Sequence, residues 1–144
     1  MPGPSLIREL IAHRGAMFLL DAVRCWDATE IVCAARSHLD PDNPLRRAGR
    51  LGAICGIEYG LQAAALHGAL TAGGVPLAAG LLVALRGVAL HVDRLDDPGF
   101  GVLGVTARME GRDAGGLAYA FRLAAADGVC LVEGRGLIGL GGTS

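Results

Sequence analysis

The sequence predicts one α+β domain, and three observations carry that prediction. Leu51 to Ala72 is almost wholly apolar or small, at helical spacing. Segments of strand length precede it, and more follow it, two of them with apolar residues clearly at period two. The chain of 144 residues suits one domain, 1–144, and shows neither an internal repeat nor a linker.

Taken in order, Ser5 to Ala12 reads as a short helix, capped by Ser5 and striped by Leu6, Ile7, Leu10 and Ile11. His13-Arg14-Gly15 ends it. Phe18 to Arg24 is an apolar run of strand length with Asp21 near its middle. Glu30 to His38 predicts a second strand, with Ile31, Cys33 and Ala35 on one face. Asp40 to Gly49 is a loop by its two prolines and its Asp, Asn and Gly. The long helix follows, with Ile54, Ile57, Leu61, Ala65 and Leu66 as its apolar stripe, and ends near Gly73-Gly74. Leu77 to Val92 is open between helix and strand, since Leu and Ala favour the first while Gly80 and Gly87 interrupt it. Leu103, Val105, Ala107 and Met109 then alternate with polar or small residues, as do Leu117, Tyr119, Phe121 and Leu123. Asp127-Gly128 marks a tight hairpin before Val129 to Leu140, so the last four strands are expected to form a meander.

Composition removes several functions. All thirteen basic residues are arginine, which excludes Schiff-base chemistry and a P-loop lysine. Net charge is −1 without a basic run beyond Arg46-Arg47, so nothing suggests nucleic acid. The four cysteines are scattered, with no CxxC pair, and read as small buried hydrophobes of a reducing compartment. The N-terminus has a charged pair where a signal peptide needs its apolar run, so a cytoplasmic location is expected. Residues 51–72 have the length of a membrane span, but Glu58, Gln62, His67 and the missing aromatic belt argue against one.

Glu58 is the only carboxylate in the apolar stretch. If the helix buries it, it needs a partner or a raised pKa, and either suits proton transfer. The residues leave open the alternative of an exposed edge or a structural network. Gly134 to Gly139 matches GxGxxG by its letters, but no helix or βαβ unit follows, so dinucleotide binding is rejected. No metal site is expected, because no histidine pair stands at helical spacing beside a carboxylate. His67 lies nine residues beyond Glu58, on the opposite helix face. His91 closes an apolar strand and reads as structural. His13 and His38 end the elements leading to the helix and are placed to face Glu58. Cys55 shares a helix face with Glu58, but a Cys–His pair lacks a third group to orient the base.

Ile11 to Asp21 (IAHRGAMFLLD) resembles the "PHRxPxLLLD" opening of the β-hydroxyacyl-ACP dehydratases of fatty-acid synthesis. Gly56 to Ala63 (GIEYGLQA) resembles the "IEALAQ" start of their central helix. With Asp42-Asn43-Pro44 and Gly49-Arg50-Leu51, the chain is more similar to the 3-hydroxyacyl-ACP dehydratase-like proteins of aryl-polyene and related lipid-synthesis clusters. The resemblance covers most of the chain, including Leu85 to Asp97, and implies a hotdog fold: a curved antiparallel sheet wrapped around one long helix, usually dimeric. It also implies a strand for the ambiguous 77–92 segment.

In that family a loop histidine and a helix acid remove the C2 proton and expel the C3 hydroxyl as water, at a site between subunits. Carried over, Glu58 matches the acid, with His38 or His13 as its partner, Gly56 at the substrate and Gln62 positioning groups along the helix. The family's "GHFPGNP" loop is absent, and the usual interval back from Glu58 lands on Pro44. His38 to Pro44 (HLDPDNP) is a rearranged counterpart only if the loop carries an insertion, and His13 matches a family histidine near the acyl tunnel. The resemblance therefore implies a (3R)-hydroxyacyl-ACP dehydratase needing no cofactor beyond the phosphopantetheine arm of ACP or CoA. Its rivals are a non-catalytic acyl-thioester-binding subunit paired with an active dehydratase, and a hotdog thioesterase. A homodimer is expected, with a heterodimer with another hotdog subunit as the alternative.

Overall fold

The computed structural model describes residues 18–71, 81–113 and 116–139. The expected first helix and His13, and the expected end of the long helix at Gly73-Gly74, lie outside the described residues. Strands β1 (Ala22–Trp26) and β2 (Glu30–Ala35) precede helix α1 (Gly56–Thr71). After it come β3 (Leu81–Leu90), β4 (Leu103–Asp113), β5 (Gly116–Ala124) and β6 (Cys130–Gly139). The strands form one antiparallel sheet in the order β1-β2-β4-β5-β6-β3, packed on α1.

That order corrects the expected four-strand meander. Only β4, β5 and β6 follow one another in space; β3 pairs with β6 at the far edge. The chain leaves the helix on one side and must return to the sheet centre through residues 91–102. Part of that return pairs with the approach to the helix: Leu95 N–H donates to the Leu51 carbonyl (2.8 Å) and Ala53 N–H to the Asp93 carbonyl (3.0 Å). This pairing draws off Leu51 and Gly52, so α1 begins at Gly56, behind a 3-10 turn over Ala53–Cys55, and not at Leu51.

The first strand also starts later than expected, at Ala22. Leu19 and Leu20 are buried, and the Leu19 N–H is taken by Gln62 Oε1 on α1 (2.7 Å), which holds residues 18–20 to the helix instead of the sheet. β2 stops at Ala35 because Ser37–Leu39 closes into a 3-10 turn. Its alternation is as read, with Ile31, Cys33 and Ala35 fully buried. The same holds for Leu103, Val105 and Ala107, and for Leu117, Tyr119, Phe121 and Leu123. The Asp127-Gly128 hairpin is present, closed by Gly128 N–H to the Ala125 carbonyl (2.8 Å).

The helix face was misread except at Leu66, which is buried as expected. Gly56, Tyr59, Gly60, Ala63, Ala64, His67 and Leu70 meet the sheet, while Ile57, Leu61 and Ala65 are half-buried and Ile54 is 61% exposed. Small residues win that face because the sheet comes too close for large ones. A Cβ on Gly60 would stand 2.3 Å from the Phe121 ring. The cysteine reading holds for Cys33, which is buried, and fails for Cys25, which is exposed; Cys55 and Cys130 are half-buried. No helix of the described residues is long and apolar enough to cross a membrane.

Candidate functional site

The first turns of α1 gather the polar groups of interest. Glu58 is exposed, one residue before the fully buried Tyr59. Gln62, one turn further along, is bonded at both ends of its amide. Its Oε1 accepts the Leu19 N–H, and its Nε2 donates to Glu58 Oε1 (3.2 Å). The carboxylate therefore sits at a fixed place on a helix face whose other residues, Ile54, Ile57 and Leu61, are apolar and incompletely covered. The burial of Glu58 that an inward helix face would give is not provided by the described residues. Gly56 is buried against Val132 and Leu123, and its N–H is already donated to the Ala53 and Ile54 carbonyls.

His38 occupies the 3-10 turn after β2 and is fully buried. Neither ring nitrogen makes a hydrogen bond of good geometry, the Gly101 backbone approaching only loosely, so His38 and Glu58 are not joined. A buried imidazole without a well-made hydrogen bond is unusual, and burial is the main reason its pKa lies below the ordinary histidine value. The Gly101 backbone, Asp21 and Asp96 pull weakly the other way, and Arg46 adds to the lowering.

The loop around His38 is held by groups that sequence reasoning missed. Ser37 Oγ donates to the Leu19 carbonyl (2.7 Å), which leaves the Tyr59 hydroxyl to donate to Ser37 Oγ (2.7 Å). Asn43 Nδ2 donates to the Tyr59 oxygen (3.1 Å) and to the Ser37 carbonyl (2.8 Å). Arg46 NH2 donates to the His38 carbonyl (3.0 Å) and Arg46 NH1 faces Asp96 (3.6 Å), whose carboxyl the Arg94 guanidinium holds well below its usual range. Beside this network a groove of about 550 Å³ opens between residues 18–21 and 36–44, lined by Phe18, Leu19, Asp21, Arg36, Ser37 and Asn43 among others. A buried asparagine in a proline-rich loop was the available signal, since such a group must find partners. Tyr59→Phe strips the hydroxyl that links Ser37 to Asn43. It is expected to lower stability by about 1–2 kcal/mol, read as a lower urea midpoint at unchanged slope.

His67 is buried on the opposite face from Glu58, as its spacing predicts. Nε2 donates to the Asp27 carbonyl (2.8 Å), so Nδ1 accepts from the Tyr119 hydroxyl (2.6 Å). Burial lowers its pKa too, against the pull of Asp27 and Glu30. Both histidines bind a proton more readily in the unfolded chain, near the reference value of 6.5. Stability is therefore fully present above that pH and falls as the pH drops below it, by up to about 1.4 kcal/mol per pH unit per histidine. The urea midpoint is expected to fall between pH 7.5 and 5.5, and His38→Leu to flatten part of that slope. A pH-independent midpoint would show that neither histidine stays neutral in the fold.

A six-stranded antiparallel sheet packed on one long helix, with β1 and β3 as its edge strands among the described residues, defines a hotdog-fold protein. Solved structures agree. A chain of the dehydratase heterocomplex ApeI:P from Xenorhabdus doucetiae matches with TM-score 0.80 at 20% identity, over 95% of this chain and 91% of that one. The E. coli PaaI protein of a phenylacetic acid degradation operon matches at 0.65 and 10% identity, over 94% and 92%. Thioesterase superfamily member 2 from Mus musculus matches at 0.66 and 11% identity, over 98% and 100%. At these identities the likeness is one of fold. No curated protein sequence matches the chain significantly. The family is fixed by sequence: the model for ApeP-like dehydratases matches residues 5–135, and the chain belongs to that family.

Proposed function

We propose that this chain is one subunit of a dehydratase that converts a 3-hydroxyacyl thioester, carried on acyl carrier protein, to the trans-2-enoyl thioester. One observation carries the reading. Glu58 is held in place by Gln62 on an apolar helix face that this chain leaves partly uncovered, and no histidine of the described residues is bonded to it. The described residues thus supply the acid of an acid–base pair, and in this reading a second subunit supplies the base. β3, an edge strand among the described residues, gives that subunit a strand to pair with. The name of the X. doucetiae heterocomplex supports assembly with a different hotdog chain.

In this mechanism the partner's base takes the C2 proton while Glu58, protonated, gives its proton to the departing C3 hydroxyl, which leaves as water. Covering the Ile54–Ile57–Leu61 face removes solvent from the carboxyl and favours its protonated form. The phosphopantetheine arm belongs to the substrate, so no resident cofactor is needed. The sealed position of His38 favours one rival, a non-catalytic acyl-thioester-binding subunit. An assay of 3-hydroxyacyl and 2-enoyl thioesters, on ACP and on CoA, separates these. It would use the chain alone, mixed with an ApeI-type subunit, and as mixtures carrying His38→Ala. Turnover that needs both chains and survives His38→Ala is expected. Turnover by the chain alone that His38→Ala abolishes would overturn the shared site, and release of free thiol would point to a thioesterase.

A further inference from the structure

The start of β6 and the residue that follows β3 carry a second group of reactive side chains. In β6 the pairing with β5 steps from Leu123–Val132 to Ala124–Cys130, so Leu131 is an extra residue. Leu131 and Val132 are consequently both buried, and the usual alternation is broken there. Without that bulge, Cys130 and Glu133 would point to opposite faces of the sheet. With it, Cys130 Sγ lies 3.7 Å from Glu133 Oε2. The Leu131 carbonyl also accepts the N–H of His91 (2.9 Å), which places His91 Nε2 2.8 Å from the same Glu133 oxygen. Imidazole nitrogen, thiol sulfur and carboxylate oxygen all stand within 4.8 Å of one another.

We propose that His91, Cys130 and Glu133 bind a divalent cation of the zinc class. The donor set is the argument. Zinc takes N, S and O ligands at about 2.0–2.3 Å in a tetrahedron, so its ligand atoms sit roughly 3.3–3.7 Å apart. The three donors span that spacing already, and the partly exposed His91 and Glu133 side chains need only small rotations to meet it. Calcium and magnesium, which want oxygen ligands, are disfavoured by the imidazole and thiol. Cys130 releases its proton to solvent on binding, and the fourth position stays open to water. Arg122, anchored on the Gly128 carbonyl (3.0 Å), faces Cys130 and Glu133 and is a cation the ion must displace or tolerate. The site joins β3 to β6 and is independent of the dehydratase reading.

The test is calorimetric titration of chelator-stripped protein with zinc, with cobalt(II) absorbance as the report of a thiolate bond. Saturable binding of one ion per chain and a sulfur-to-cobalt charge-transfer band are expected. Cys130→Ser removes the band, and both it and His91→Ala weaken zinc by roughly tenfold or more. Cys25→Ser, at the exposed cysteine elsewhere, changes neither. Glu133→Gln, on an exposed side chain, repeats the test should another variant lose its fold. No saturable binding, or binding indifferent to Cys130 and His91, overturns the site.

Discussion

Glu58→Gln is expected to lower turnover of the assembled dehydratase by about 10²- to 10⁴-fold, the usual contribution of a positioned general acid. The substitution keeps shape and leaves an amide oxygen where Glu58 Oε1 accepts from Gln62 Nε2. Because Glu58 is exposed in this chain, its neutral replacement should leave the melting temperature and the assembly unchanged. The loss would fall on kcat, since the amide binds as the acid does but delivers no proton. Gln62→Ala acts one step away. It frees the carboxylate and the Leu19 N–H together and is expected to cost about tenfold in kcat, by loosening position and not by removing the acid. Parent-level turnover in Glu58→Gln would move the chemistry wholly into the second subunit. This chain would then be a binding partner whose helix face serves assembly.

Much of the architecture was legible because burial on a sheet imposes period two. Ile31–Cys33–Ala35 and Leu117–Tyr119–Phe121–Leu123 announced their inward faces without help. The helix was legible in place but not in orientation. Hydrophobicity ranks Ile54, Ile57 and Leu61 above Gly56, Gly60 and Ala63, and so selects the wrong face. What decides is the distance between helix and sheet, which no local pattern encodes. The position of β3 beside β6 was hidden for a similar reason, because sequential order suggests neighbours and strand order is a property of the whole sheet. Of the candidate site, Glu58 stood out as the only carboxylate of the apolar stretch, Gln62 came through motif resemblance, and the two share a hydrogen bond. His38 was chosen for its place at the end of the second strand, ahead of the helix, and lies buried away from them. Tyr59 and Asn43 went unnoticed because a polar group's burial depends on distant partners, here Ser37 and each other.

Gly60→Ala tests that reading of the helix, because two effects oppose each other in sign. Helix propensity alone favours alanine over glycine by about 1 kcal/mol in a helix interior. Packing says the reverse. The new methyl would lie 2.3 and 2.4 Å from ring carbons of Phe121 and 2.8 Å from its Cβ, so no rotation of the ring relieves every contact. Phe121 is itself buried in β5, which pairs on both sides with β4 and β6 and leaves the stem nowhere to retreat. Overpacking of this kind costs about 3 kcal/mol. For a domain this size the melting temperature should drop by roughly 10 °C. The cycle with Phe121→Leu, which withdraws the ring, should show a coupling of about 1–3 kcal/mol, so that the double variant is more stable than independent costs predict. A melting temperature that rises in Gly60→Ala would mean that the helix stands further from the sheet. The small-residue face would then be a consequence of composition and not of close approach.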